Sequence, residues 1–398
     1  MKCVTYTIDP DGDVELLLEK PNSQQIVPHV PSNEYNEELE DLMSEPTVAR
    51  PMLAARYHAF DDLLSPAEAG QYLNPFGTMA YPSTVPGESA FATHNTPKVR
   101  TTFEGEVRIR VSSRHLTLAS RTFRSMLKGF WSEASSTSST FGKPLRLIRA
   151  SRWDAVAFAI VLDIIHGRHR GVPRYVDLPL MTRIATIVDY YHCHEVVQIF
   201  ADFWYEDISA NVAEEYSSRT LMRLFASWVF RNERVWNAAS GITLRHMDDV
   251  SQIDTKELHL GGVLAKINET RQDLINKIIA ALDDLHDNLS TSKFLCDWHK
   301  FDSPNCSSVT LSILERELQS LAESDRPLLP PFNGYSVVSM IQLINDIPES
   351  IAATTEEYDH YNDVAVCSVR ARMRHVLGDV KNEMNSWALD LDMNVRSG

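Results

Sequence analysis

The chain has 398 residues, 43% of them apolar, so it is long enough for two or three domains and apolar enough to fill their cores. Its formal net charge of −16, from 38 basic and 54 acidic residues, gives no favourable field for an anionic duplex or membrane surface. No apolar run approaches the roughly 18 residues of a membrane helix, and the N-terminus lacks the apolar core of a secretory signal. Five scattered cysteines argue against a disulfide framework. The composition predicts an intracellular protein, cytoplasmic or nuclear, that binds neither nucleic acid directly nor a membrane.

Two short apolar stretches open the chain on either side of a turn sequence. Residues 4–8 and 13–18 are rich in β-branched and aliphatic side chains. Between them, Asp9-Pro10-Asp11-Gly12 combines a proline that restricts φ with a glycine that can adopt positive φ. This pattern predicts one strand, or two strands joined as a hairpin, within residues 1–20.

A long segment without hydrophobic periodicity follows. More than half of the 19 prolines lie within residues 21–100, where acidic residues also outnumber basic ones. A segment of this composition buries too little apolar surface to offset the entropy lost on ordering. Residues 21–103 are therefore interpreted as an acidic, proline-rich insert that is mostly disordered, with one short helix capped at Ser65-Pro66-Ala67-Glu68.

Regular elements resume after the insert. Residues 106–111 alternate apolar and basic side chains with the period of a half-buried strand, and a helical stretch begins at Ser112. The next elements are predicted as a strand, a helix that is apolar almost all round and therefore buried on several sides, and two amphipathic helices. Their positions are residues 145–148, 153–165, 178–191 and 196–204. Together they complete a domain over residues 104–208.

The remaining residues, 209–398, are predicted to form an all-helical region. Apolar residues recur there at helical spacing in segments 221–229, 232–247, 260–289, 309–321, 335–347 and 369–391. In the longest segment Leu260, Ile267 and Leu274 stand at seven-residue steps, and Arg271 interrupts the companion row. This seam is compatible with a two-stranded coiled coil, but we favour an amphipathic helix that covers the core of its own region.

The order of these elements and four of their motifs resemble a BTB/POZ domain. Residues 13–17 resemble the opening Asp-Val strand of that family, and residues 116–127 resemble its Leu-Ala-x-x-Ser-x-x-Phe-x-x-Met helix. Residues 151–167 resemble the helix that ends Phe-Tyr-Thr-Gly, and residues 188–195 resemble the Ala-Asp-x-Tyr-x-Cys turn. The start at Val111-Ser112-Ser113-x-His115-Leu116 is most similar to fungal members. The resemblance implies an α+β fold, with a small β-sheet covered by a helical cluster, followed here by the all-α C-terminal region.

Two features depart from the family pattern. The family usually has a His-basic pair just before its Leu-Ala helix, whereas Arg114-His115 are displaced from that place by two positions. BTB transcription regulators also carry a helix before the first strand, and here the first predicted strand begins almost at Met1.

The resemblance implies a surface for partner proteins. Family partners dock on the surfaces built by residues 114–130 and 178–208. The loop of residues 168–174 is the most strongly basic stretch of this acidic chain. An acidic segment of a partner could dock on it, although we favour a loop that is only exposed to solvent. The residues expected to contribute to this surface are Asp13, Arg114, His115, Phe123, Met126, Arg168, Arg170, Arg174, Tyr190 and Tyr191.

Neither metal nor catalytic chemistry is indicated by the sequence. Adjacent helical side chains point about 100° apart, so His192-Cys193-His194 favours a buried cysteine over a metal site. Residues 296–306 hold two cysteines and one histidine without a fourth ligand nearby. The motifs of nucleophilic hydrolases, dinucleotide-binding folds and P-loops do not occur, and Asp248-Asp249 and Asp283-Asp284 are interpreted as solvated charges. We therefore expect no enzyme activity, cofactor or metal.

The predicted function is a non-catalytic protein–protein interaction module, a BTB/POZ scaffold or adaptor. One alternative is a substrate receptor of a cullin-type ubiquitin ligase, and a second is a transcription-associated regulator that acts through partner proteins. The ligase alternative is weakened because residues 166–173 lack the apolar-x-Glu signature of many such receptors, and no substrate-binding repeat follows. An enzyme in residues 209–398 would reveal itself by metal or cofactor bound to the purified protein.

The predicted assembly state is a monomer or a weak dimer. Swapped BTB dimers bury the element that precedes the first strand, and only three residues precede Val4. A coiled coil through residues 260–285 would bury Arg271 without an obvious partner. Light scattering behind a sizing column at micromolar concentration tests this expectation. A mass near 90 kDa, about twice 45.1 kDa, that persists on dilution would contradict it.

Overall fold

The chain divides into two compact units. Unit 1 comprises Met1–Ile26 and Ser32–Asn211, and unit 2 comprises Val27–Pro31 and Val212–Gly398, a division close to the predicted boundary after residue 208. The computed structural model describes residues 2–31, 54–63, 105–128, 136–137, 140–208, 216–291, 304–323, 326, 328–348 and 368–391. The protein is of mixed α and β composition, with one small sheet in unit 1 and a mostly helical remainder.

The sheet of unit 1 is built from segments far apart in the chain. Its strands are β1 (Lys2–Thr7), β2 (Val14–Glu19), β3 (Gly105–Val111), β4 (Ser136–Thr137) and β5 (Leu145–Ser151). The strand order is β1-β3-β2-β5-β4. β3 is parallel to β1 and antiparallel to β2, while β5 is parallel to β2 and antiparallel to β4. Burial alternates along β3, which confirms the predicted half-buried strand.

Of the two alternatives predicted for the first residues, one strand or a two-stranded hairpin, the hairpin is wrong. β1 and β2 are both strands, but β3 lies between them and pairs with each. Gly12 is required for a different reason from the positive φ that its turn sequence suggested. A Cβ at this position would collide with the backbone carbonyl of Val111, so glycine permits the close approach of the connection to the end of β3.

The described part of unit 1 also contains five α-helices. They are α1 (Ser113–Ala119), α2 (Arg121–Lys128), α3 (Ala155–Ile165), α4 (Leu178–Tyr191) and α5 (His194–Ile208). Every residue of α3 is buried, which confirms the helix predicted to be apolar on several sides. The helices begin where local capping allows: the Asp154 carboxylate accepts the Ala157 N–H for α3, and Asp177 accepts that of Leu180 for α4.

Part of the predicted insert is ordered within unit 1. Residues Ala55–Leu63 form a 3₁₀-helix, and we call this element the 55–63 segment. Its side chains Tyr57, Phe60 and Leu63 are buried. Three apolar residues at three-residue steps match the 3₁₀ period, which differs from the period of 3.6 of an α-helix and of 2 of a strand. The predicted cap at residues 65–68 lies outside the described residues.

Unit 2 is helical in the residues that the structure describes. Its helices are α6 (Ser218–Val229), α7 (Glu233–His246), α8 (Gly261–Ser290), α9 (Pro304–Ala322), α10 (Val337–Asn345) and α11 (Val369–Ser386). Each coincides with a predicted helical segment, although α11 ends earlier than the predicted residue 391. Within the described parts of both units, none of the helices is long and apolar enough to cross a membrane.

The long helix α8 packs on its own unit. Leu260, which caps its start, and Ile267 and Leu274 on its seam are buried within the single chain, so the interpretation as an amphipathic helix over a local core is confirmed. Arg271 is fully buried within this local core and has hydrogen-bond partners there. Its guanidinium donates hydrogen bonds to the carbonyls of Pro331 at 2.6 Å, Phe332 at 3.0 Å and Tyr335.

Candidate interaction surface

Asp13 lies immediately before β2 and is held by two neighbouring segments. Its carboxylate accepts hydrogen bonds from the Ser113 backbone N–H and hydroxyl, both at 2.8 Å, and pairs with the guanidinium of Arg146 on β5. Partial burial by itself would raise the pKa of Asp13, but these hydrogen bonds outweigh it and lower the pKa. The basic partner of the Asp13 carboxylate is therefore Arg146.

A sharp corner between α1 and α2 is tied to the end of α4. Ser120 has an extended backbone and interrupts the predicted helical stretch. Its hydroxyl donates to the Tyr191 carbonyl at 2.5 Å and accepts the Phe123 N–H at 3.0 Å, so it caps α2. Thr122 donates its hydroxyl hydrogen to the Tyr190 carbonyl at 3.3 Å. These bonds join the start of α2 to the backbone at the end of α4, while the Tyr190 ring lies 5.3 Å from that of Trp153.

Two of the residues expected on the surface lie in the core. Phe123 and Tyr191 are each 1% exposed, and their rings stack with centroids 4.2 Å apart. Tyr191 also stacks on Phe158 of α3 at 5.9 Å. Both residues were assigned to a partner-binding surface because their motif matched. The correction is that they hold α2, α3 and α4 together and cannot touch a partner directly.

An exposed apolar residue stands among basic side chains at the α1–α2 corner. Leu118 is 81% exposed, and Tyr190 is 52% exposed. Arg114, one helical turn before Leu118, and Arg121, at the start of α2, are also exposed. We call Arg114, Leu118, Arg121 and Tyr190 the corner surface. Residues 113–128 contain no acidic side chain, so this surface is basic although the chain carries a net charge of −16.

The remaining predicted residues occupy different environments. His115 is exposed and lies beside His166, with ring centroids 4.9 Å apart, while Met126 is half-buried. The exposure of Leu118, which lies within the predicted helical stretch that begins at Ser112, was not predicted from the sequence. A sequence signal was available, because Leu116 and Leu118 differ by two positions and therefore point to different sides of one helix.

The basic loop packs on α5 and exposes its arginines. Its backbone forms a short 3₁₀-helix, His169–Gly171, whose histidine ring lies 5.1 Å from that of Phe200. The Trp204 indole donates to the Pro173 carbonyl at 2.9 Å. The side chains of Arg168, Arg170 and Arg174 are exposed to solvent.

Two apolar residues on α5 are exposed, which was not predicted from the sequence. Ile199 is 61% exposed and Phe203 is 59% exposed. They stand four positions apart and share one face of the helix. The nearly continuous apolar character of residues 196–204 indicates such exposed residues, because one buried face of an amphipathic helix needs fewer apolar side chains.

The His192-Cys193-His194 turn places the cysteine in the core. Cys193 is 1% exposed, and burial raises the pKa of its thiol to about 12. His192 adopts a left-handed backbone that ends α4, and its ring lies 6.5 Å from that of His194. Among the residues with a described structure, no group of three or more His, Cys, Asp or Glu side chains could hold a metal ion. Residues 296–299 lie outside that part of the chain.

His166 at the end of α3 is held as a neutral ring, which predicts a pH effect. Its Nε2 accepts the Ser112 N–H at 3.0 Å, and its Nδ1 lies 2.7 Å from the Leu162 carbonyl. Burial lowers the pKa of His166, and the neighbouring His115 acts in the same direction, while the hydrogen bond to the Leu162 carbonyl and the charge of Asp9 oppose them. Below the ordinary pKa of about 6.5 the unfolded chain binds a proton that the folded chain binds less well. The free energy of unfolding should therefore fall as the pH drops below about 6.5.

Urea unfolding of wild type and His166→Gln between pH 7.5 and 5 measures this effect. The variant should lose part of the decline, at most about 1.4 kcal/mol per pH unit for one full proton. His58→Gln, at an exposed position of the same unit, is the matched control and should retain the wild-type decline. Identical pH dependence of His166→Gln and wild type would show that His166 does not contribute.

Comparisons with known proteins give no relative for this chain. No protein-family model matches it, no curated protein matches it, and no solved structure matches it.

Proposed function

We propose that unit 1 is a BTB/POZ-type interaction domain and that the protein is a non-catalytic scaffold or adaptor. The order of elements supports this proposal. Antiparallel β2 and β3, the α1–α2 pair, β5 parallel to β2, the buried α3, and then α4 and α5 follow one another as the resemblance implies. The two family motifs around Phe123 and Tyr191 meet in space, since their rings stack.

The corner surface is the proposed docking site, and the exposure of Leu118 is the observation that carries the proposal. An apolar side chain that is 81% exposed gains free energy when a partner covers it. The surrounding arginines would orient an acidic partner and exclude a basic one, because charges at the rim of an interface set specificity and association rate. The partner class is thus a protein segment with an apolar side chain flanked by carboxylates.

Affinity purification of the full-length chain, followed by mass spectrometry, tests this function. Leu118→Glu should remove the specific partners, because it places a charge at the centre of the interface. Leu329→Glu is the matched control: Leu329 is 67% exposed and belongs to unit 2, so this variant should keep them. Partner binding should also weaken as ionic strength rises, owing to the arginines.

The same experiment separates the alternatives. A cullin among the proteins lost with Leu118→Glu would support the ligase-receptor function, and transcription factors in that set would support the regulator. If Leu118→Glu and Leu329→Glu both kept every partner of the wild type, the corner surface would not be the docking site.

A further inference from the structure

The 55–63 segment lies in a groove of unit 1 formed by β1 and α3. Its Tyr57, Phe60 and Leu63 side chains are 1%, 1% and 2% exposed. The Phe60 ring meets that of Tyr6 on β1 with centroids 5.1 Å apart. These contacts come from side chains at three-residue steps along one face of a short helix. The segment therefore resembles a bound helical peptide in how it buries apolar surface.

A buried carboxylate gives this groove charge specificity. Asp163 of α3 is fully buried, and Arg56 donates to its Oδ1 at 2.7 Å. The hydroxyls of Tyr57 and Tyr6 donate to its Oδ2 at 2.9 and 3.2 Å, and the Arg56 Nε also donates to the Tyr6 oxygen at 2.5 Å. Burial raises the pKa of Asp163, and Arg56 is the largest opposing influence. Two of the donors to Asp163 thus belong to the 55–63 segment itself.

The groove also fits the segment sterically at both ends. A Cβ on Gly171 would lie 2.8 Å from the Arg56 Cδ, so glycine at this position leaves room for the arginine stem. At the other end, the Asn22 amide donates to the Leu63 carbonyl at 3.4 Å. Tyr6, Asn22, Asp163 and Gly171 form the receiving side, which we call the 163 groove.

The position of the segment in the chain matches that of a tethered ligand. Residues 32–53 separate it from the preceding part of the described structure, and residues 64–104 separate it from β3. It is joined to the 163 groove by side chains and one carbonyl rather than by pairing with a strand. Its binding determinants are thus contained in a short run of residues, Arg56-Tyr57-x-x-Phe60-x-x-Leu63.

We propose that the 163 groove is a recognition site for a helical segment of the pattern Arg-Tyr-x-x-Phe-x-x-Leu, which the chain fills with its own 55–63 segment and which accepts the same segment supplied in trans. This site is distinct from the corner surface, so it does not depend on the proposed function. A tethered segment has a high effective concentration and blocks the groove until it is displaced.

A fluorescent peptide of residues 53–66 and full-length protein variants test this inference. In the variant Arg56→Ala/Tyr57→Ala/Phe60→Ala the groove is empty, and it should bind the peptide at least tenfold more tightly than wild type. Adding Asp163→Asn to that variant should weaken binding at least tenfold, because the ion pair is lost. The peptide with Arg56→Ala should bind the triple variant about as weakly as the wild-type peptide binds the triple variant that also carries Asp163→Asn.

Circular dichroism establishes that each variant is folded before binding is measured. A folded triple variant that does not bind the peptide, or that binds it equally well with Asp163→Asn, would overturn the inference. If the triple variant does not fold, Arg56→Ala alone replaces it, and the readout is thermal stability. Excess peptide should then raise the melting temperature of Arg56→Ala but not that of Arg56→Ala/Asp163→Asn, since a ligand of the folded state stabilises it. An equal change in the melting temperature of these two proteins would also overturn the inference.

Discussion

Replacing Phe158 with aspartate is expected to leave unit 1 unfolded or the protein insoluble. Phe158 is 0% exposed in α3, a helix whose residues are all buried, and its ring stacks on Tyr191. The substitution removes the packing of an aromatic ring and buries a carboxylate without a partner. The expected loss is about 4 kcal/mol or more in the free energy of unfolding, a large part of the stability of a typical domain. Expression in the soluble fraction and thermal melting measure it.

Phe203→Asp is the matched control for this substitution. Phe203 is 59% exposed on α5 of the same unit, so the same chemical change there should alter the melting temperature little. Wild-type melting of Phe158→Asp would mean that Phe158 is exposed and that α3 is wrongly placed in unit 1.

Replacing Arg271 with methionine is expected to destabilise unit 2 by about 3–5 kcal/mol. Methionine fills much of the same volume but cannot donate to the carbonyls of Pro331, Phe332 and Tyr335. Phe332 and Tyr335 are buried, so their carbonyls would lose these donors away from water. Hydrogen bonds from a charged donor are stronger than neutral ones, so their loss exceeds that of an ordinary pair. Burial lowers the pKa of Arg271, with Asp248 and Asp249 acting against it.

Urea unfolding followed by circular dichroism measures this loss. Lys266→Met is the control on the same helix: Lys266 pairs with Glu269 on the exposed face of α8. An exposed pair of this kind contributes about 1 kcal/mol or less, so the control should remain close to wild type. A similar small change in Arg271→Met would show that the loop carbonyls find other donors when the guanidinium is absent.

Features that depend on residues close together in the sequence could be predicted, whereas features that depend on contacts between distant residues could not. The bounds of α4 and the buried character of α3 follow from runs of apolar residues and from caps such as Asp154 and Asp177, all within a few positions of one another. The hairpin was wrong because β3, which separates β1 from β2, lies about ninety residues further along the chain.

The same distinction between local and distant contacts applies to the candidate surface. Motif matching found the segments, α1–α2 and α4–α5, that carry the exposed apolar residues. It assigned Phe123 and Tyr191 to that surface, because a motif records which residue occurs and not which side of the helix is covered. Leu118, Ile199 and Phe203 were missed for the same reason, since exposure depends on which neighbouring element packs on each face.

The sequence by itself determined where the α-helices form in both units, apart from the break at Ser120, and which segments are apolar enough to be buried. Periodicity and capping act between residues a few positions apart. Only the tertiary structure decided the strand order, the partners of Asp13, Asp163 and Arg271, and the burial of the 55–63 segment. The partners named above are backbone groups or side chains distant in sequence. A backbone carbonyl has no signature in the sequence, and a distant ion pair is defined only once the chain has folded.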